Sequence, residues 1–155
     1  MKAKTLIALL TLAVAGSASA QMKPEDAIKI RQSGYTFMAW NMGKIKGMLD
    51  KPETYNKDQA VAAAKAIQGV ANSGMGTLYV PGSDKGIGWK ETRVLPELFT
   101  DKEGVAKVGK AFNVEANELA KVAETGDAAA LKAQFGKVGE TSKGCHDKFR
   151  KEEKK

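Results

Sequence analysis

Apolar side chains recur along most of this chain in steps of three and four. Ile28, Arg31, Tyr35, Met38, Met42, Ile45 and Leu49 form the first such stripe, a spacing that sets all seven on one face of a helix. Ile30, Phe37 and Trp40 widen its apolar surface. Pro24-Glu25-Asp26 opens the segment, since proline suits the first helical position and acids complement the positive end of the helix dipole. Asp50-Lys51-Pro52 closes it, because proline disfavours helical geometry in the residue before it. Asn56 with Gln59 has the form of a capping box and opens an alanine-rich run over residues 60–71, which Asn72-Ser73-Gly74 should stop. Thr100-Asp101-Lys102-Glu103 is a second capping box, ahead of Val105, Val108, Phe112, Glu115, Leu119 and Val122. Asp127 follows Gly126 and caps a last stripe of Leu131, Phe135, Val138, Ser142, Cys145 and Phe149, which places Ser142 and Cys145 in the buried seam.

Between Gly74 and Pro96 the periodicity is broken by five glycines and two prolines, and Met75, Leu78, Tyr79, Ile87 and Trp89 are left without a helical frame. A connection of that length is functional or mobile, and its apolar residues predict that it packs over something. Four amphipathic helices with two short connections and one long one predict an all-α chain: an antiparallel four-helix bundle with one long crossover. No strand-like alternation, dinucleotide or phosphate-loop motif or catalytic-triad spacing appears, so an enzyme is not expected.

The first twenty residues stand apart. Lys2 and Lys4, the apolar run Leu6 to Ala15 and the small-residue site Ala18-Ser19-Ala20 have the form of a cleaved signal peptide, too short in its apolar part to span a membrane. Cleavage is expected to leave Gln21 as the first residue, with residues 21–155 forming one exported domain and the bacterial periplasm as its address. The formal charge of +7 falls by two with that cleavage. The remaining basic residues are interleaved with acids and read as a solvated face, so neither nucleic acid nor membrane insertion is expected.

Cys145 is the only cysteine, so it is free, pairs between chains, or is consumed by a covalent cofactor. His146 follows it directly. Ser142-Lys143-Gly144-Cys145-His146 is S-x-x-C-H, one atom from the C-x-x-C-H signature of c-type haem attachment. A thiol adds to a haem vinyl group to give a thioether; a serine hydroxyl does not.

These residues, with the Lys-Pro-Glu-Asp-Ala opening, Arg31-Gln32-Ser33, Tyr79-Val80-Pro81-Gly82, the Gly126-Asp127 junction and Cys-His-Asp-Lys-Phe-Arg at 145–150, resemble the cytochrome c prime family of periplasmic four-helix-bundle haem proteins. The resemblance runs the length of residues 21–155. It implies haem c, with Cys145 as covalent anchor, His146 as axial iron ligand, Tyr35 over the distal face, Arg150 beside the proximal imidazole, and Arg31 and Gln32 near the propionates. Ser142 departs from the family by standing where the first thioether cysteine belongs, which implies a haem held through one link. The implied function is one-electron transfer, or binding of nitric oxide or carbon monoxide at a five-coordinate iron, in a homodimer with a redox partner the sequence does not specify.

Other readings accompany this one. Cys145 is otherwise a buried thiol in a haem-free helical binding or stress protein. Met38, one turn from Tyr35, is core filler or, opposite His146, the second ligand of a low-spin electron carrier. Trp40, Tyr79 and Trp89 read as core or dimer contacts, and the small residues at Gly34 and along the second helix as gaps that admit a partner chain.

Overall fold

A computed structural model describes residues 22–152; the expected signal peptide and cleavage point lie outside the described residues. Helix α1 spans Pro24–Asp50, α2 Lys57–Ala71, α3 the single turn Glu97–Thr100, α4 Lys102–Thr125 and α5 Ala128–Phe149. The long helices α1, α2, α4 and α5 make the antiparallel bundle, and the stretch from Asn72 to Asp101 crosses over between α2 and α4. No strand occurs among the described residues beyond two isolated bridges.

The ends of the helices follow local chemistry. Pro24 starts α1 as expected, with Glu25 and Asp26 in its first turn. Asn56 Oδ1 accepts the Gln59 N–H at 2.9 Å to cap α2, and Asp127 Oδ1 accepts the Ala129 and Ala130 N–H groups at 2.9 and 3.0 Å to cap α5. Gly126 ends α4 with φ 80°, a left-handed conformation that glycine adopts at little cost. The capping box at Thr100 shifts by one residue: Thr100 is the last residue of α3, and Asp101 Oδ1 accepts the Gly104 N–H at 2.8 Å instead.

Helix α1 packs on α2, α2 on α4 and α4 on α5. The core joins all four long helices through Ile45, Met48, Ala60, Ala63, Ala64, Ile67, Ala116, Leu119, Ala120, Ala123, Leu131 and Val138. The alanines of α2 let the helices approach closely at this end. Ala60, Ala63 and Ala64 are buried by the bundle's own neighbours, and a Cβ added at the half-buried Gly34 would stand 2.9 Å from the Met75 Cε. Three of the small residues read as a gap for a partner chain, Ala60, Ala63 and Ala64, thus face the bundle's own core.

The crossover packs, as expected, and what it packs against is α1. Arg31, only 3% exposed, donates to the Leu78 carbonyl (3.0 Å), the Ser83 hydroxyl (2.9 Å) and carbonyl (2.8 Å), and the Thr92 hydroxyl (3.2 Å). Gln32 donates to the Lys90 carbonyl at 2.8 Å and accepts from the Trp89 and Lys90 N–H groups. Farther along, Leu95 N–H donates to the Phe149 carbonyl at 2.9 Å and Lys151 N–H to the Arg93 carbonyl at 2.8 Å, so the crossover also clamps the chain just after α5.

Candidate functional site at the open end of the bundle

The long helices do not bury residues evenly along their lengths. In α1 no residue from 32 to 40 is buried; in α2 burial stops after Ile67; in α4 it begins only at Ala116; in α5 it lapses from residue 139 to 148. Because the helices alternate in direction, these four stretches lie at one end of the bundle. The apolar stripes continue there (Val105, Val108, Ser142, Cys145), but their side chains are only half-buried. Ser142 and Cys145, expected in a buried seam, are half-buried for this reason: the seam continues in sequence while the opposing helices supply too few atoms to close it. A packed interior leaves few voids larger than a water molecule, so an end at which four helices together fail to close has room for a further group.

Cys145 is a free thiol on this stretch of α5, with its acidity weakened by burial. Two phenols from elsewhere in the chain converge beside it. The Tyr35 hydroxyl on α1 and the Tyr79 hydroxyl on the crossover are 3.0 Å apart, and both lie near enough to feel charge on the Cys145 sulfur. Burial is the first cause holding both phenols above their ordinary range. Arg31 stacks its guanidinium over the Tyr79 ring, 4.5 Å from the centroid, and Phe99 meets the same ring edge-on with centroids 6.5 Å apart. Arg31 and Gln32 thus make their hydrogen bonds to the crossover.

His146, one residue on, is exposed and borders a polar cleft of about 300 Å³ lined by Arg93, His146, Asp147, Arg150, Lys151 and Glu152. An Arg150 Nη1 lies 3.3 Å from its Nδ1 and 3.5 Å from its Nε2. Desolvation, then the positive charges of Arg150 and Arg93, hold the imidazole below its usual pKa against the opposing pull of Asp147. The neutral ring, the form with a nitrogen lone pair free for a metal, is therefore favoured. Met38 is half-buried and packs against the closed core.

The donor set fits a covalently held haem: an available thiol, a neutral imidazole on the adjacent residue and an apolar cradle short of packing atoms. Two features of the site are absent from the sequence reading. The Tyr35–Tyr79 pair joins residues 44 apart and has no local signal. The Arg31 anchor did have one, a charged residue standing in an apolar stripe.

Comparison with known proteins gives one family. The family model described as Cytochrome C' matches residues 26–150. A cytochrome c' of Rhodocyclus tenuis is 56% identical over 131 residues, which are 84% of this chain and 98% of that protein. The crystal structure of cytochrome c' from Thermochromatium tepidum superposes with a TM-score of 0.80 at 50% identity, covering 86% of this chain and 100% of the other. A second cytochrome c' structure, known for an unusual ligand-controlled dimer dissociation, superposes with a TM-score of 0.81 at 51% identity over the same shares of the two chains.

Proposed function

The chain belongs to the cytochrome c' family of haem proteins, and from that premise we propose that haem c is held at the open end of the bundle, anchored by Cys145 and ligated by His146. Haem bound there supplies a one-electron iron centre with a coordination position for a small diatomic such as nitric oxide or carbon monoxide. The observation that carries this reading is the shared end at which α1, α2, α4 and α5 all stop burying residues. That end contains the Cys-His pair.

Each residue has a physical part in this reading. His146 offers a neutral nitrogen, kept so by desolvation and two arginines. Arg150 steadies the ring from one turn away. Cys145 fixes the adjacent backbone covalently, so the imidazole stays at the metal. Ser142, at the place of the family's first thioether cysteine, forms no bond to the cofactor and leaves a single link. Tyr35, close enough to Cys145 to feel charge on its sulfur, would border the bound haem. Arg31 and Gln32 act indirectly, tying the crossover across α1 and so closing the pocket's edge.

The role that follows is carriage of an electron or a gas, without turnover of a substrate. Residues 1–20 direct the chain to the periplasm, in keeping with the lack of any membrane-spanning helix among the described residues. A second copy of the chain docks on the outer face of α1, where Ile30, Phe37 and Trp40 are 46%, 50% and 59% exposed and Trp89 reaches the same face through its indole N–H to Ser33. Trp40→Glu should shift sedimentation from dimer to monomer; an unchanged dimer would put the contact elsewhere.

The absorption spectrum of exported, purified protein tests the site. A high-spin ferrous spectrum that carbon monoxide shifts, unchanged in Met38→Ala and lost in His146→Ala, is the expected result. A low-spin ferrous spectrum that Met38→Ala converts to high-spin would contradict it.

A further inference from the structure

Arg31 makes the two partners of the Tyr35–Tyr79 contact unequal. The guanidinium lies over the Tyr79 ring at 4.5 Å and is fixed there by hydrogen bonds of 2.8–3.2 Å to four oxygens, all neutral. Its charge is thus buried without neutralisation, next to one phenol of the pair. A cation at a ring face withdraws electron density from that ring and makes its hydroxyl the stronger acid. In a pair of hydroxyls the stronger acid is the better donor. Tyr79 is therefore the better donor of the two across the 3.0 Å between their oxygens, and Tyr35 the better acceptor. A phenol has one hydrogen, so the hydrogen of Tyr35 stays available for a different acceptor.

We propose that Arg31 and Tyr79 are positioning residues that turn Tyr35 into a hydrogen-bond donor for the ligand bound at the open end of the bundle. This rests on the reading of Tyr35 as the residue facing that ligand. The arrangement links the crossover to the pocket: four hydrogen bonds from α1 to residues 78–92 hold the cation, the cation orients Tyr79, and Tyr79 orients Tyr35. The consequence is specificity. Ligands that carry an acceptor atom gain a hydrogen bond, while a merely bulky residue in place of Tyr35 would only obstruct them.

The carbon–oxygen stretching frequency of the carbon monoxide complex, measured by infrared on the haem-loaded full chain, tests the relay without relying on activity, because a donor beside the bound ligand lowers that frequency. Tyr35→Phe keeps the ring, removes the donor and should raise the frequency. Tyr79→Phe should raise it in the same direction, and the double variant should go no further than Tyr35→Phe alone. Carbon monoxide should dissociate about 2- to 10-fold faster in both single variants, the scale of one neutral hydrogen bond. Arg31→Gln should raise the frequency as well; if removal of the anchor prevents folding, Tyr79→Phe still decides the matter. An unchanged or lowered frequency in Tyr79→Phe, or a shift that adds to that of Tyr35→Phe, would overturn the relay and leave Tyr35 as the ligand-facing residue. No shift in Tyr35→Phe would overturn both.

Discussion

At one end of the bundle Ile45, Ile67, Leu119 and Leu131 have no exposed surface; at the other, the same four helices carry Tyr35, Val70, Val108 and Cys145 half-buried or exposed. The difference does not lie in the kind of residue, since apolar stripes run the length of each helix. It lies in convergence. Alanines in α2 and α4 bring the backbones together at the closed end, with Lys57 against Gly126 marking where α2 and α4 meet. At the open end the neighbours are large and aromatic, and the helices are fastened at the margins: by Arg31 and Gln32 to the crossover, by Asp101 to Lys148, and by the pairing of residues 93–95 with 149–151. One end is held by apolar packing and the other by polar ties around a space. A protein that must carry a large planar cofactor needs both.

The largest effect expected from this contrast is at Leu119. Leu119→Ala opens a cavity in a closed core and should cost about 2–5 kcal/mol in chemical denaturation, equally with and without haem. Val108→Ala at the open end should cost no more than about 1 kcal/mol without haem, since a half-exposed side chain removes little apolar surface from water. Its cost should rise when haem is loaded. Equal costs for Val108→Ala in both forms would remove the distinction between the two ends.

The polar fastenings respond to acid. The Lys148 ammonium, then the Gly104 N–H, hold the Asp101 carboxyl below its ordinary value of 3.8. The unfolded chain therefore binds the proton more readily. Stability from this group is complete above that value and is lost as pH falls below it toward the folded pKa. Asp101→Asn should flatten the acid limb of a melting-temperature profile between about pH 4 and pH 2. The limb should persist unchanged if Asp101 is not a fastening.

The smallest effect is expected at Lys65–Glu124. This 2.8 Å ion pair near the closed end has both side chains 55% exposed, and exposed pairs contribute little, about 0–1 kcal/mol. Lys65→Gln should lower the melting temperature barely or not at all. A large loss would mean that the closed end depends on surface charge as well as on packing.

Much of this was legible in the sequence because it is local. Helix spacing, the caps at Asn56 and Asp127, the stop at Gly126 and the Cys145-His146 pair are each written within a few residues, and they suffice for a four-helix bundle and its family. What escaped is set by distance. A stripe tells which face of a helix is apolar and not how near the opposite helix comes, so Ser142 and Cys145 looked buried. Thr100 and Asp101 are both good caps, and only the turn of α3 decides between them. The resemblance puts Arg31 and Gln32 near the propionates; the folded chain adds their grip on residues 78–92, of which the only local sign is a charged residue in an apolar stripe. The phenol pair of Tyr35 and Tyr79 has no local sign.

The central claim is that the open end holds haem through one covalent bond from Cys145, with Ser142 making none. Intact mass of exported protein after extraction with acidified organic solvent, together with the pyridine haemochrome spectrum, tests it most directly. The account predicts retained haem, a spectrum reporting one unreacted vinyl group, and loss of the retained haem in Cys145→Ala. Haem that the solvent removes from the unaltered chain, or that stays attached to Cys145→Ala, would contradict it.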